Sequence, residues 1–464
     1  MNTSNSLCQQ LLEFLNQHHL LGRPLTLAYS GGCDSQVLLH LLASLKIQNQ
    51  LTTQLQAIHV HHGLSENADD WLRFTKQQAQ RLGIPYQAIN VDLQAQKRQS
   101  LEALARDARY QALSEHSADD AVIITAHHQD DQLETMLMAL KRGSGVSGLA
   151  AMSDIRAHNK QQLLARPLLS SSRMDIEHYA EQHNLDWVED ESNVDERFDR
   201  NFLRRRIIPS LLERWPHMLS SSSRSAKHFS EAQQLLEHYA KDDINTISNT
   251  DKQLLIEPLK ALSAARQRNV IRFYCKQHGV LMPSEAQLEQ IIHTCVYAKV
   301  DANPQVKLAN AMVRRYKQQL LITPIYQDLS NWVQTIDIND LPQQVSLPDD
   351  MGVLQLDMVN NQHDLELKGS QQLLPISNDC RQLILDFNYQ NVKVWPDFRD
   401  KRRELKKVYQ ELALPNWQRG RQINVRIEQT LAAVVDRFIN KDYLQSLAKT
   451  SDKHQKLLRI RRCD

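Results

Sequence analysis

The stretch "LTLAYSGGCDSQVLLHLL", Leu25 to Leu42, predicts an apolar strand, a tight turn of Ser, Gly, Gly, Asp and Ser, and then a buried helix. Glycine is scarce, 12 in 464 residues, and five of the twelve sit in two short segments: Gly31 and Gly32, then Gly143, Gly145 and Gly148. Such clustering marks backbone positions where a side chain would be in the way. The helix that follows the turn points its amide donors and positive dipole end back into the loop, which makes an anion cradle. Ser30 and Ser35 add hydroxyl donors. Asp34 puts an acid where an anion binds, an arrangement that makes sense if a cation such as magnesium is shared with the anion or if the acid orients the loop. The spacing is neither the Walker loop nor the Rossmann glycine fingerprint.

Outward from this turn, strand candidates "LTLAYS", "QLQAIHVHH", "YQAINVDL", "AVIITAHH" and "QLLARPLL" alternate with helical stretches such as "NADDWLRFTKQQAQRLG". Alternating strand and helix predicts an α/β domain with a parallel, Rossmann-like sheet covered on both faces. Ligands sit at the carboxyl ends of such strands, where "SGGCDS", "HHGLS" and "HHQDD" fall. From about residue 193 to 325 the period becomes helical, and "NPQVKLANAMVRRYKQQLLITP" predicts a closing hairpin with its turn in "LAN". Beyond 326, "VQTIDI", "GVLQLDMV", "QLILDF", "INVRIE" and "LAAVVDRFI" predict strands, and "DKRRELKKVYQEL" a basic helix.

The composition, 41% apolar and 23% charged, is that of an ordinary globular protein of two to four domains. The start has neither a basic region nor an apolar core of secretory type, and no run of ~18 apolar residues follows; the expectation is a cytoplasmic protein without membrane contact. Six scattered cysteines, without a C-x-x-C pair, argue against a disulfide framework or a cysteine-ligated metal. The formal charge of +1 hides an asymmetry. Residues 391–464 hold 18 Lys and Arg against 9 Asp and Glu, so the first 390 residues carry the acidic excess. A basic end on an acidic body suggests a polyanion partner.

S-G-G-x-D-S after a first strand resembles the PP-loop of the ATP pyrophosphatases, which adenylate a substrate and release pyrophosphate. Further motifs, "HHGL" (His61–Leu64), "LEALARDARY" (Leu101–Tyr110), "TAHHQDDQLETMLMALKRGSGVSGLAAM" (Thr125–Met152), "RPLL" (Arg166–Leu169) and "EDESNVDERFDRNFLRRRIIPSL" (Glu189–Leu211), occur in the order seen in the tRNA(Ile)-lysidine synthases. The tail "RRELKKVYQELALPNWQRGRQINV" is similar to that family's carboxyl-terminal module. It departs after Trp417-Gln418-Arg419, where the family usually has Asp and Pro and this chain has Gly420. The resemblance implies a PP-loop catalytic domain (1–215), a helical middle domain (216–325) and a small α+β region (326–464), basic from about 391, that contacts tRNA.

The implied reaction joins lysine to carbon 2 of the wobble cytidine in the CAU anticodon of isoleucine tRNA. It runs through an adenylated cytidine and releases pyrophosphate and AMP, so that the product reads AUA instead of AUG. ATP and Mg²⁺ are the implied cofactors. ATP would lie on Ser30, Gly31, Gly32, Cys33, Asp34 and Ser35, with Asp34 on the metal side. Free lysine is cationic, and Asp130, Asp131 and Glu134 share a helix face where two or three carboxylates suit an amine or a magnesium ion; acids in a first helical turn are also favoured by the dipole alone. Arg106 and Arg109, three apart, suit phosphate or charge developing on the activated base; Glu102 and Arg106 are also spaced as a helical ion pair. Arg200, Asn201 and Arg204 match the family's R-N-x-x-R, which implies contact with the activated nucleotide or the anticodon. Arg399, Lys401, Arg402, Arg403, Lys406 and Lys407, beside Trp417 and Arg419, are the expected tRNA contacts of the tail. The oligomeric state, a dimer being one option, is left open. Rival readings are a tRNA thiolase of the same fold, which would need cysteines beyond Cys33, and a non-catalytic tRNA-binding protein, which would lack the loop acids.

Overall fold

A computed structural model describes residues 3–61, 63, 67–91, 101–299, 302–359, 371–449 and 455–463. Parts of two motifs, His62 and Leu64 of "HHGL" and Asp92 and Leu93 of "YQAINVDL", lie outside the described residues, as does the Glu102 side chain. The chain divides into two compact units, Met1–Tyr239 and Ala240–Asp464.

The first unit runs α1 (Thr3–Gln17), β1 (Leu25–Ala28), α2 (Cys33–Ile47), β2 (Leu55–His61), α3 (Ala68–Arg81), β3 (Tyr86–Asn90), α4 (Leu101–Glu115) and β4 (Val122–Ile124). It continues through α5 (Gln129–Lys141), α6 (Val146–Leu149), β5 (Ile155–Ala157), β6 (Leu163–Ala165), α7 (Arg173–Gln182), α8 (Asp199–Phe202), a π-helical turn (Leu203–Ile207) and α9 (Ile208–Arg214) into the long α10 (Met218–Ile247), whose last turns, from Ala240, are counted with the second unit. Its sheet has the order β3-β2-β1-β4-β6-β5. All neighbours are parallel except β5, which runs antiparallel on the edge beside β6. The five expected strands all form; β5 was not foreseen, because an edge strand that exposes Arg156 and Ala157 shows no apolar pattern.

The opening stretch accounts for the core. Leu25 and Leu27 of β1, and Val37, Leu38, Leu39, Leu41, Leu42 and Leu45 of α2, are buried in one cluster with Leu11 and Leu15 of α1 and Ile176 and Tyr179 of α7. An apolar side chain removed from water contributes ~1.5–3 kcal/mol, so α2 is pinned on several sides. Strand order reverses at β1, which has β2 on one side and β4 on the other. The crevice beyond the carboxyl ends of β1 and β4 is therefore a topological switch point, where sheets of this kind bind ligands.

The second unit opens with helices Ile256–Ala261, Ala264–Gln277 and Glu285–Gln290 and a π-helical turn, Ile291–Val296. The expected hairpin pairs Gln305–Lys307 with Met312–Tyr316 around "LAN", and a second turn at Lys317, φ 53°, adds Gln319–Thr323. A five-stranded and a four-stranded antiparallel sheet follow. The basic end is woven into both: Asn424–Ile427 pairs with Gln382–Asp386, and Gln455–Cys463 lies between Val353–Val359 and Gln371–Ser377. The expected basic helix is shorter, Leu405–Glu411, because Arg403–Glu404 instead pairs as a strand with Lys393–Val394.

Arg315 is wholly buried in this unit. Its Nη1 donates to the carbonyls of Cys295, Val296 and Ala298 at 3.3, 3.3 and 2.8 Å, gathering acceptors at the end of the π-helical turn. Arg315→Met keeps the length of the side chain and removes every donor. It is expected to cost about 2–4 kcal/mol, read as a lower urea midpoint for unfolding.

Candidate active site

At the end of β1 the chain must reverse into α2 with an amide-lined concavity, and Gly31 permits this. Its φ is +89°, and a Cβ there would meet Thr75 Cγ2 at 2.7 Å and Val188 Cγ2 at 3.1 Å. The serines shape the loop: Ser35 Oγ accepts from the Gly31 amide at 3.0 Å, donates to the Gly32 carbonyl at 3.0 Å and lies 3.0 Å from Ser30 Oγ. Ser35 is buried and Ser30 exposed, so only Ser30 offers its hydroxyl outward. Gly32 caps α2 with extended backbone, leaving the first amides of the helix, from Cys33 onward, without intrahelical acceptors. Cys33 is buried, and burial pushes its thiol up to about 11, so it takes part through its backbone.

Four expected residues converge here. Asp34, in the first turn of α2, faces Asp130, Asp131 and Glu134 on α5, the helix that follows β4. The three aspartates meet at His128, a buried ring at the start of α5. His128 Nδ1 is 3.4 Å from Asp130 Oδ2, and Nε2 is 3.5 Å from Asp131 Oδ2 and 3.7 Å from Asp34 Oδ1. Its backbone amide donates to Asp131 Oδ2 at 3.0 Å. Arg173, the first residue of α7, closes the other side: Nη1 reaches both Asp34 oxygens at 2.6 and 2.7 Å, and its amide donates to Asp130 Oδ2 at 2.9 Å.

Deeper in the cleft, the Glu134 side chain is fully buried. Arg204 grips it through Nε at 2.6 Å and Nη2 at 3.0 Å, and also reaches Asp131 Oδ1 at 3.3 Å. Arg200 Nε is 3.4 Å from Glu134 Oε2. Asn201 donates to the Asp195 carbonyl at 3.0 Å and so fastens the approach to α8. The expected R-N-x-x-R group thus meets the acids through its two arginines. Arg106 and Arg109 border the cleft from α4 and flank the Tyr110 ring, 5.7 and 5.5 Å from its centre.

His128 and Arg173 were not among the expected site residues. A cation at the first position of a helix opposes the dipole, so Arg173 behind the cap Ser172 signals an anion nearby. The adjacent histidines of "HHQDD" carried no such signal.

The electrostatics are sharply divided. Burial opposes charge on His128, but the facing Asp130, Asp34 and Asp131 outweigh it and push its pKa up to about 10. Burial likewise raises Asp34, but His128 and Arg173 bring it below the ordinary carboxylate value. Asp130 is lowered in the same way, by His128 and the Arg173 amide. Glu134 moves the other way, because burial outweighs Arg204 and Asp131 adds repulsion. His127, half-buried and with Arg166, Arg109 and Arg106 acting on it, is held well below the usual histidine range by partial burial and by those cations; its Nδ1 lies 2.8 Å from Thr125 Oγ1.

In the second unit, most of the expected basic contacts are engaged internally. Arg399 and Arg403 share Glu411, Arg402 pairs with Asp442, and Lys407 lies 3.4 Å from Glu404. Arg419 is buried, with Nε donating to the Leu414 carbonyl at 3.0 Å. Trp417 packs 5.5 Å from Tyr316, with the Arg314 guanidinium 4.9 Å over its ring. Among the described residues, only Lys401 and Lys406 of this set are exposed without an ion-pair or ring partner.

A PP-loop domain family matches residues 3–211, a TilS substrate binding domain 254–321 and a TilS substrate C-terminal domain 383–457. A tRNA(Ile)-lysidine synthase of Histophilus somni (strain 129Pt) is 41% identical over 417 residues, 89% of this chain and 95% of the relative. Those of Haemophilus ducreyi and Serratia proteamaculans are each 38% identical, over 92% and 94% of this chain and 97% and 95% of the relatives. Among solved structures, a U34-tRNA thiolase from Methanococcus maripaludis is similar at 18% identity and a TM-score of 0.42, covering 49% of this chain and 79% of that one.

Two neighbouring histidines in opposite protonation states make a sharp expectation. In a pH titration followed by imidazole nitrogen shifts, His127 stays neutral from pH 5 to 9 while His128 stays an imidazolium until about pH 10. With its folded pKa above the unfolded value of about 6.5, His128 contributes stability that is complete below that value and lost as pH rises through about 10. Asp34 and Asp130 have the opposite sign: their contribution is present above ~4 and lost as pH falls further.

Proposed function

The chain belongs to the tRNA(Ile)-lysidine synthase family, an ATP-using group of tRNA-modifying enzymes, and from that premise we propose how its own residues divide the work. The tRNA substrate is the isoleucine tRNA with a CAU anticodon, and the second substrate is free L-lysine. Oxygen 2 of the wobble cytidine attacks the α-phosphorus of ATP and pyrophosphate leaves. The side-chain amine of lysine then attacks carbon 2, a carboxylate takes its proton, and AMP departs with the former base oxygen. The observation that carries this reading is the junction of two loops at the β1/β4 switch point, where a phosphate-cradling turn meets a carboxylate cluster across His128.

The amides of Cys33 and Asp34, with the Ser30 hydroxyl, receive the leaving phosphates. Among the described residues no group of three acids, histidines or cysteines holds a metal by itself. A nucleotide-borne Mg²⁺ needs only one or two carboxylates. Asp34 and Asp131 both face His128 Nε2 and are hard oxygen donors, so the site fits such an ion, which would offset the charge of the triphosphate.

Lysine competes for acids that arginines already hold. Its ammonium displaces Arg204 from Asp131 and Glu134, and the released guanidinium turns to the adenylated base. Glu134, raised by burial, is the group placed to take the proton from the amine. Residues 1–215 carry this chemistry, 216–325 form the helical middle domain, and 326–464 contact the tRNA.

The direct test is mass analysis of wobble nucleosides after incubation with tRNA, ATP and labelled lysine; no lysine adduct at the cytidine would sink the reading. Asp34→Asn is expected to lower ATP-dependent pyrophosphate release by about 10²–10³-fold, the loss typical of a group that stabilises developing charge. Glu134→Gln should slow lysine transfer far more than it weakens tRNA binding, and equal losses would mark a structural role. In the tail, Lys401→Ala with Lys406→Ala is expected to reduce the slope of log affinity against log salt by about 1.4–1.8, at ~0.7–0.9 per phosphate contact.

A further inference from the structure

Beside the acid cleft lies a second electrostatic feature that the chemistry above leaves unused. Along α4 and the edge strand β5, an open groove is lined by Arg106, Tyr110, Arg156 and His158. The guanidinium carbons of Arg106, Arg109 and Arg156 lie 5.7, 5.5 and 6.0 Å from the centre of the Tyr110 ring. Arg166, the residue after β6, is only 3% exposed and spends Nη1 on the Ser153 carbonyl at 2.7 Å, while its buried Nε has no hydrogen-bond partner. The buried Tyr110 hydroxyl lies next to Arg109 and Arg166 but makes no well-formed hydrogen bond. Asp107 and Glu115 line the same groove, yet among the described residues no carboxylate comes within ion-pair distance of these four arginines.

Cations gathered with no carboxylate of the described residues in reach repel one another, and Arg166, which is buried, also forfeits hydration. Burial and mutual repulsion already hold Arg109 and Arg166 below the usual arginine range. An incoming anion removes that penalty, and guanidinium forks match phosphate oxygens in pairs.

We propose that Arg106, Arg109, Arg156 and Arg166, arrayed around Tyr110 with His158 at the rim, bind a backbone phosphate of the tRNA strand next to the nucleotide under modification. This rests on the reading of the protein as a tRNA-modifying enzyme. The triphosphate of ATP is the less suitable occupant, because the functional reading above already assigns it to the amide cradle after β1, and no residue of that loop lines the groove. Holding the flanking phosphate fixes the strand while a single base enters the cleft, so the cluster positions substrate without touching the reacting atoms.

Arg156, exposed on β5, is the residue to change, because it contacts neither the acids nor the loop. Arg156→Ala is expected to raise KM for tRNA about tenfold, leave KM for ATP and for lysine unchanged, and lower the salt slope of tRNA binding by about 0.7. Arg156→Lys should recover part of the loss. The decisive measurement uses an anticodon stem–loop carrying an uncharged methylphosphonate at each linkage beside the wobble cytidine in turn. At one linkage the neutral substitution should weaken the wild-type protein clearly more than it weakens Arg156→Ala. Additive losses at every linkage, no effect of Arg156→Ala on tRNA, or a shift in KM for ATP instead would each overturn the proposal. If the wild-type protein forms no lysine adduct on the unmodified stem–loop or on whole tRNA, the functional reading fails instead, which is a separate result.

Discussion

A buried imidazolium ties together the segments that meet at the strand ends of the first unit. His128 is almost without solvent, yet three carboxylates from two segments face it, and a ring that burial alone would neutralise is kept charged. Asp34 comes with the turn after β1, while Asp130 and Asp131 come with the helix after β4. Through Asp34 and Asp130 the network takes in Arg173 at the head of α7. Three chain segments far apart in sequence are thereby fixed to one another by charge at the place where the sheet itself offers only strand ends. Taking such groups out of water is costly, and the network persists because each acid finds a cation and each cation an acid.

The same balance explains why the site can respond to a cationic substrate. Asp34, Asp130, Asp131 and Glu134 are matched by His128, Arg173, Arg200 and Arg204, so any further cationic group in the cleft adds a fifth positive charge and competes with one of them for an acid. Arg173 is anchored twice more, through its amide to Asp130 and through Nε to Glu177 at 2.7 Å. Arg204 is half-exposed and sits in a π-helical turn, where the backbone ladder is irregular. Arg204 is therefore the less firmly anchored of the two arginines.

Much of this was legible in the sequence for a simple reason. Strands buried on both faces, such as "LTLA" and "VII", read as apolar runs, and the turn that needs glycine contains glycine. The acids of "HHQDDQLET" were legible because their spacing on a helix is fixed. What escaped was long-range pairing. Arg173 is 139 residues from Asp34, and no local pattern connects them. The interior strand Gln455–Cys463 escaped for a different reason. In "QKLLRIRRC", Leu458 and Ile460 are fully buried while Arg459 and Arg461 turn to Asp357 on the other face, so a period of two is present but hidden inside a charge run.

The basic tail shows why a charge count overstates an interface. Residues 391–464 hold nine more cations than anions, but Arg421 and Arg426 are tied to Asp349 and Asp386, and Arg459 and Arg461 to Asp357, all acids that lie before residue 391. Those four cations therefore balance charge contributed by the rest of the second unit, and Arg399, Arg402 and Arg403 are spent on Glu411 and Asp442 within the tail itself. The excess that solvent meets is carried by a few lysines, among them Lys401 and Lys406, on strongly hydrated and flexible stems. Lysine stems of that kind follow a phosphate backbone without demanding a fixed geometry, whereas the arginines, with their rigid forks, are kept for pairing within the fold.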